Sequence, residues 1–228
     1  MFFVVRKIHP KLLKLSVAFE VTRKVGMHIS EGVLSGPVLI SGGALAAAGT
    51  AIGLKKLDYD RIAKAGILSA AFFVASLVHV PIGPSNAHLI LNGLVGLLLG
   101  WAAFPAILVA LVLQAMLFQY GGITALGVNT IIMALPAVLC YAICSPFLHK
   151  KPALAFSAAF ACGFLSVALS ALILGLALVF TEENFFEVSA IVIGAHIPVM
   201  IIEGLVTALC VAFLKKVQPT MLPGASSQ

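Results

Sequence analysis

LILNGLVGLLLGWAAFPAILVALVLQAMLF, residues 89–118, carries one amide near each end, no charge, and no alternation of apolar with polar positions. A helix on a soluble domain keeps a polar face, and a half-buried strand alternates; this stretch does neither. Its surroundings are therefore lipid. Working outward, no Lys, Arg, Asp or Glu occurs anywhere from Ala65 to His149. Over all 228 residues, 61% are hydrophobic and 10% charged, whereas charged residues reach about 25% in soluble domains. The chain is an integral membrane protein. Inside lipid the backbone must satisfy its own hydrogen bonds, which leaves helices or a closed barrel, and the continuous apolar runs select helices. The expected fold class is all-α, a polytopic membrane helix bundle.

Apolar spans fall at 33–54, 63–81, 88–101, 104–119, 125–148, 153–180 and 188–214, which predicts about seven transmembrane helices. The third and fourth are short, and a single broken hairpin would read similarly. Lys55, Lys56, Arg61 and Lys64 fill the first connection, Lys150 and Lys151 the fifth, and Lys215 and Lys216 follow the last span. Glu182, Glu183 and Glu187 occupy the sixth connection without a base. Bases are retained on the cytoplasmic side, so seven spans place the start of the bundle outside and the C-terminus inside. Three regions follow: a basic extension over 1–26, one membrane domain over 27–216, and a short cytoplasmic tail over 217–228.

The extension conflicts with that orientation, because it holds Arg6, Lys7, Lys11, Lys14, Arg23 and Lys24 against a single Glu20. Exporting six bases is disfavoured. One reading is a cytoplasmic amphipathic arm on anionic lipid; the favoured one is that Met27 is the working first residue. Without residues 1–26 the net charge falls from +6 to +1, since six bases and one acid are lost. The basic balance thus gives no reason to expect a nucleic-acid partner.

Few polar side chains interrupt the apolar body, and each is a functional candidate. In Met27-His28-Ile29-Ser30-Glu31-Gly32, a free amine on Met27, the amide nitrogen of His28 and its imidazole Nδ1 can close two fused chelate rings around one cation. His79 and His88 flank a connection with Pro81, Gly83 and Pro84 that regular helix cannot occupy. On the expected outer side His88 adds an imidazole, and four nitrogens in a plane suit Ni(II) or Cu(II), with Co(II) also compatible. His79 is the alternative ligand. Asn92, one helical turn beyond His88, and Gln119 and Asn129, on the same side, are candidates for orienting the ligands. His196 and Glu203 lie about 10 Å apart along one helical face, as a helix-packing pair or a face for a partner subunit; Glu203 is also a candidate cation relay.

Cys140, Cys144, Cys162 and Cys210 all lie in apolar segments and read as small hydrophobes. Cys140 and Cys144 are one turn apart, yet two thiols alone make a poor metal site. No phosphate-binding loop, nucleophile elbow or H-E-x-x-H motif occurs. The chain is not expected to be an enzyme, and uphill transport would draw energy from partner subunits.

The segments MHISEG, GPSNAHL, LFQYGGITALGVNTIIMALPAVL and AHIPVMIIEGLVTAL, in this order, resemble the CbiM/NikM family, the substrate-specific membrane components of cobalt and nickel energy-coupling-factor (ECF) transporters. The likeness runs from Met27 to about Leu214. It implies a seven-helix bundle whose N-terminal segment folds back to bind the metal through positions that correspond to Met27, His28 and His88. It also implies an ECF transmembrane coupling subunit, cytoplasmic ATPase subunits and a small accessory membrane subunit. There is no prosthetic group; Co(II) or Ni(II) is cargo, supplying cobalamin biosynthesis or nickel enzymes. The wording ALGVNTIIMALPAVL favours cobalt, while planar nitrogen ligation alone favours nickel. A non-transporting membrane scaffold and a proton-coupled carrier acting through Glu203 are the rival readings.

Overall fold

The computed structural model describes residues 28–82, 85–181, 189–190, 193–194 and 196–224, with only the backbone of 79–82 and 85–87. The helices are α1 (Gly36–Lys55), α2 (Ile62–Ala75), α3 (Asn92–Leu99), α4 (Ala103–Phe118), α5 (Leu126–Cys144), α6 (Pro152–Val179) and α7 (Ile197–Val217). Between α2 and α3, strands β1 (His79–Ile82) and β2 (Ser85–His88) form an antiparallel pair that sets His79 opposite His88. Prolines near the starts of α1, α6 and α7 supply a pre-set backbone angle where no amide partner is needed.

Among the described residues, five stretches are long and apolar enough to cross a membrane: Gly36–Lys55, Asn92–Phe118, Leu126–Phe147, Pro152–Val179 and Ile197–Val217. The chain is a multi-pass membrane protein. Several of the expected spans differ from the helices in length. The span expected at 63–81 is a 14-residue helix, about 21 Å long against a hydrocarbon layer of roughly 30 Å. Its last part is strand instead, because Pro81 cannot sit in a helix interior and Val78 and Val80 suit a pleated backbone. The span expected at 88–101 shrinks to eight helical residues, whereas that at 104–119 keeps its 16 and starts one residue earlier. The last expected span, from 188, is helical at 189–190 and 193–194, and α7 runs from Ile197 to Val217; the acidic connection with Glu182, Glu183 and Glu187 lies outside the described residues.

Within Asn92–Phe118 the chain reverses. Ser69 Oγ donates to Ala106 O at 2.7 Å and Gln114 Nε2 to Ser76 Oγ at 2.9 Å, so α2 and α4 run in the same sense. The Arg61 guanidinium, just before α2, reaches Leu98 O near the end of α3 at 3.5 Å, so α3 runs against α2. The reversal is made by Gly100, at φ 59, in the single 3-10 turn Gly100–Ala102. Only glycine adopts such an angle freely.

The centre is closed by backbone-to-backbone contact. A Cβ at Gly93 would stand 2.8 Å from Gly163 Cα, and one at Gly163 would stand 2.5 Å from Glu203 O. Small residues at such crossings are how membrane helices pack in the absence of a hydrophobic drive between them. The Asn92–Phe118 stretch is 72% buried and the α1 window 22%, so α1 lies at the periphery and α3 at the heart.

The basic residues of the described part gather at one end. Lys56 sits over the Trp101 ring at 5.3 Å, Lys64 Nζ donates to Met221 O at 2.6 Å, and Lys215 Nζ donates to Leu148 O and Lys150 O at 2.8 and 2.6 Å. The opposite end carries the N-terminal segment 28–35, which Ser35 N ties to Thr181 Oγ1 at 3.3 Å.

Candidate metal site

The segment that begins at His28 is pulled into the non-basic end by the side chains of two elements. Asn129, in the first turns of α5, receives the N–H of Ile29 on Oδ1 at 2.9 Å and donates Nδ2 to Ile29 O at 3.1 Å. A side-chain amide that matches both groups of one peptide residue acts like a neighbouring strand. Glu31 Oε1 accepts the N–H groups of Ile123 and Thr124 at 2.8 and 3.2 Å, which fastens the segment to the turn after α4. That turn uses Gly121 and Gly122 at φ 82 and 121. A Cβ at Gly121 would press on Asn129 Nδ2 at 2.7 Å and lie 3.6 Å from His28 Cβ.

These ties bring the His28 imidazole over that of His88, with ring centroids 4.9 Å apart and planes 14° from parallel. Each residue is 7% exposed. Nδ1 of His88 lies 3.0 Å from Leu89 O. A carbonyl can only accept, so Nδ1 carries the proton and the lone pair is on Nε2. Both ring nitrogens of His28 are buried without a hydrogen-bond partner among the described residues. Burial first, and the adjacent His88 second, hold the His28 imidazole well below its ordinary range. His28 is thus neutral near pH 7, the form that ligates metals.

The turn after His88 is shaped from the far end of the chain. Leu91 adopts the left-handed conformation at φ 56. Its N–H is 3.0 Å from both carboxylate oxygens of Glu203, whose Oε1 also accepts the N–H of Ile90. Glu203 is fully buried and stands at the N-terminal end of α3, where a helix carries partial positive charge.

The expected site residues are thus distributed as follows. His28 and His88 come together, whereas Met27 lies outside the described residues and His79 is placed by its backbone alone. Asn129 holds the residue next to His28. Asn92 does not orient His88 from one turn away, because residue 88 ends a strand and α3 starts at 92. Its amide instead donates to Met133 O and Ser170 Oγ at 3.1 and 3.0 Å and accepts from Ser166 Oγ at 3.1 Å, knotting α3, α5 and α6. Gln119 is exposed and ends α4 in the left-handed conformation, φ 58. His196 and Glu203 are buried within the chain, and Glu203 packs its carboxylate against the turn before α3. The four cysteines are free thiols, and among the described residues no group of three His, Cys, Asp or Glu side chains stands ready for a metal. Glu31 was the residue missed: its signal, an acid among apolar neighbours in a six-residue motif, was visible but had no assigned partner.

A multi-pass helical membrane protein with two imidazoles stacked beneath one end, that of His28 neutral, is suited to capturing a divalent transition-metal ion. The family described as "Cobalt uptake substrate-specific transmembrane region" (CbiM) matches residues 28–221. The chain belongs to this family. Among its relatives is a provisionally named metal transport protein of Haemophilus influenzae, 38% identical over 199 residues, covering 86% of this chain and 97% of that one. The fused nickel transport protein NikMN of Rhodobacter capsulatus is 41% identical over 118 residues, 47% of this chain and 33% of the relative. A crystal structure of a transition metal transporter shares the fold at a TM-score of 0.69 and 29% identity, over 83% of this chain and 93% of that one.

Proposed function

We propose that the chain is the substrate-capture subunit of an ATP-driven ECF-type importer of a divalent transition metal, with cobalt favoured over nickel and cobalamin biosynthesis as the destination. Met27, His28 and His88 are its metal ligands. A chain starting at Met27 offers its amine, the His28 amide nitrogen and imidazole, and the His88 imidazole, four nitrogens in all. The capture end faces outward and the basic end faces the cytoplasm, in keeping with retention of bases on that side. Energy comes from ATPase subunits acting through a transmembrane coupling subunit, with a small accessory membrane subunit; fusion in the Rhodobacter capsulatus relative supports dependence on partners.

The observation that carries this reading is the His28–His88 stack, with two buried His28 nitrogens that no described protein group satisfies. An unsatisfied buried polar atom costs about 1–3 kcal/mol, and a bound cation removes that cost. The test is elemental analysis of the protein purified from cobalt- or nickel-supplemented cells, in chains starting at Met1 and at Met27. One metal ion per chain is expected for the shorter form, and His88→Ala abolishes it. Undiminished metal in His88→Ala would overturn the ligand assignment, and metal-free wild-type protein would overturn the reading itself.

A further inference from the structure

Helices α6 and α7 pack closely along their lengths, with a surface crevice between them at the basic end. At the contact a Cβ on Gly163 would meet Glu203 O at 2.5 Å and one on Gly204 would meet Phe160 O at 3.0 Å. Beyond it, Ala155 and Phe156 of α6 face Val211 and Ala212 of α7 across a crevice of about 500 Å³, and Lys215 and Lys216 stand at its mouth. Lys150 and Lys151 precede the Pro152 that lines the same mouth, and no acid lines it. Lys215 is already engaged by two carbonyls, while Lys151 and Lys216 are exposed.

We infer that this crevice binds one anionic phospholipid, its acyl chain between Phe156 and Val211 and its phosphate between Lys151 and Lys216. Three features select that occupant. The wall is apolar along the bundle and cationic only at the end, the polarity order of a lipid. Lys216 lies 12 residues past Gly204, roughly 18 Å along the axis, which spans much of one leaflet of a hydrocarbon core about 30 Å thick. Two turns of a helix about 10 Å wide occupy roughly 850 Å³, more than the crevice offers, so an acyl chain fits where a partner helix does not. Juxtamembrane lysines attract the anionic headgroups of the cytoplasmic leaflet, the side that the orientation proposed above gives to the basic end.

The experiment is native mass spectrometry of the full chain in detergent, titrated with palmitoyl-oleoyl phosphatidylglycerol or with phosphatidylcholine of the same chains. One phosphatidylglycerol adduct should persist at a concentration at least about tenfold lower than its zwitterionic counterpart, because the headgroup charge is the difference read by the lysines. In the double variant Lys151→Gln/Lys216→Gln that preference should vanish, and Ala212→Trp, which fills the crevice, should remove the adduct. Thermal unfolding shows that each variant is folded. Equal retention of the two lipids, an unchanged preference in the double variant, or an adduct that survives Ala212→Trp would each overturn the inference. So would displacement by millimolar inorganic phosphate, or a crosslink from Ala212→Cys to another subunit of the assembled transporter.

Discussion

Glu203 meets the N–H of Leu91 with both carboxylate oxygens at 3.0 Å each, and through it the last helix holds the left-handed turn three residues after His88. Glu203→Gln replaces one acceptor by a donor aimed at the same N–H, so the turn relaxes and the imidazole loses its support. Metal affinity should fall roughly 10- to 100-fold, the usual effect of losing a group that orients a ligand. Isothermal titration with Co(II) and Ni(II) reads this directly, and wild-type affinity would remove Glu203 from the support of the site.

The same grip contributes to stability. Glu203→Leu keeps bulk but leaves the N–H groups of Ile90 and Leu91 without their acceptor, at about 1–3 kcal/mol each for buried donors. A lower unfolding temperature in detergent is expected, and larger for Leu than for Gln at this position.

Asn129→Ala removes both hydrogen bonds to Ile29 while leaving the bundle core intact. Hydrogen exchange at residues 28–32 should accelerate and metal binding weaken, with the remaining amides unaffected. Gly121→Ala should reproduce the effect from the other side, since its Cβ would push on Asn129 Nδ2. Unchanged exchange in both variants would show that the segment is held by something else.

Protonation offers a fourth measurement. The folded protein holds His28 below its ordinary pKa, so between that lowered value and about 6.5 the unfolded chain binds more protons than the folded one. Stability is therefore fully present above about pH 6.5 and declines as pH falls towards the folded value, by at most about 1.4 kcal/mol per pH unit for one proton. Thermal unfolding of metal-free protein from pH 7.5 to 5 should show this loss, and His28→Asn should flatten it. Metal affinity falls over the same range, since binding requires neutral imidazoles.

Much of this architecture was legible in the chain. Unbroken apolar runs between Ala65 and His149 fix the membrane class, and the bases at Lys55 to Lys64, Lys150 and Lys215 mark one end because desolvating them is costly wherever they stand. The His28–His88 pairing was readable as chemistry, two imidazoles in an otherwise apolar chain. Hydropathy could not show that α2 stops at 14 residues or that the chain turns back at Gly100. Both depend on backbone angles and close approach, which composition averages away. Asn92 misled because helical spacing was applied across a strand end. Glu203 was noticed for its charge, but its partners are two backbone amides 112 and 113 residues earlier, a contact that carries no side-chain signature.

That long reach sets an order of assembly. The loop bearing His88 leaves the ribosome well before residue 203 exists, so during synthesis its final turn has no acceptor and the paired imidazoles lack their brace. The turn that carries His88 is therefore completed only once the last helix has entered the bundle, so the two ends of the chain fold as one cooperative unit.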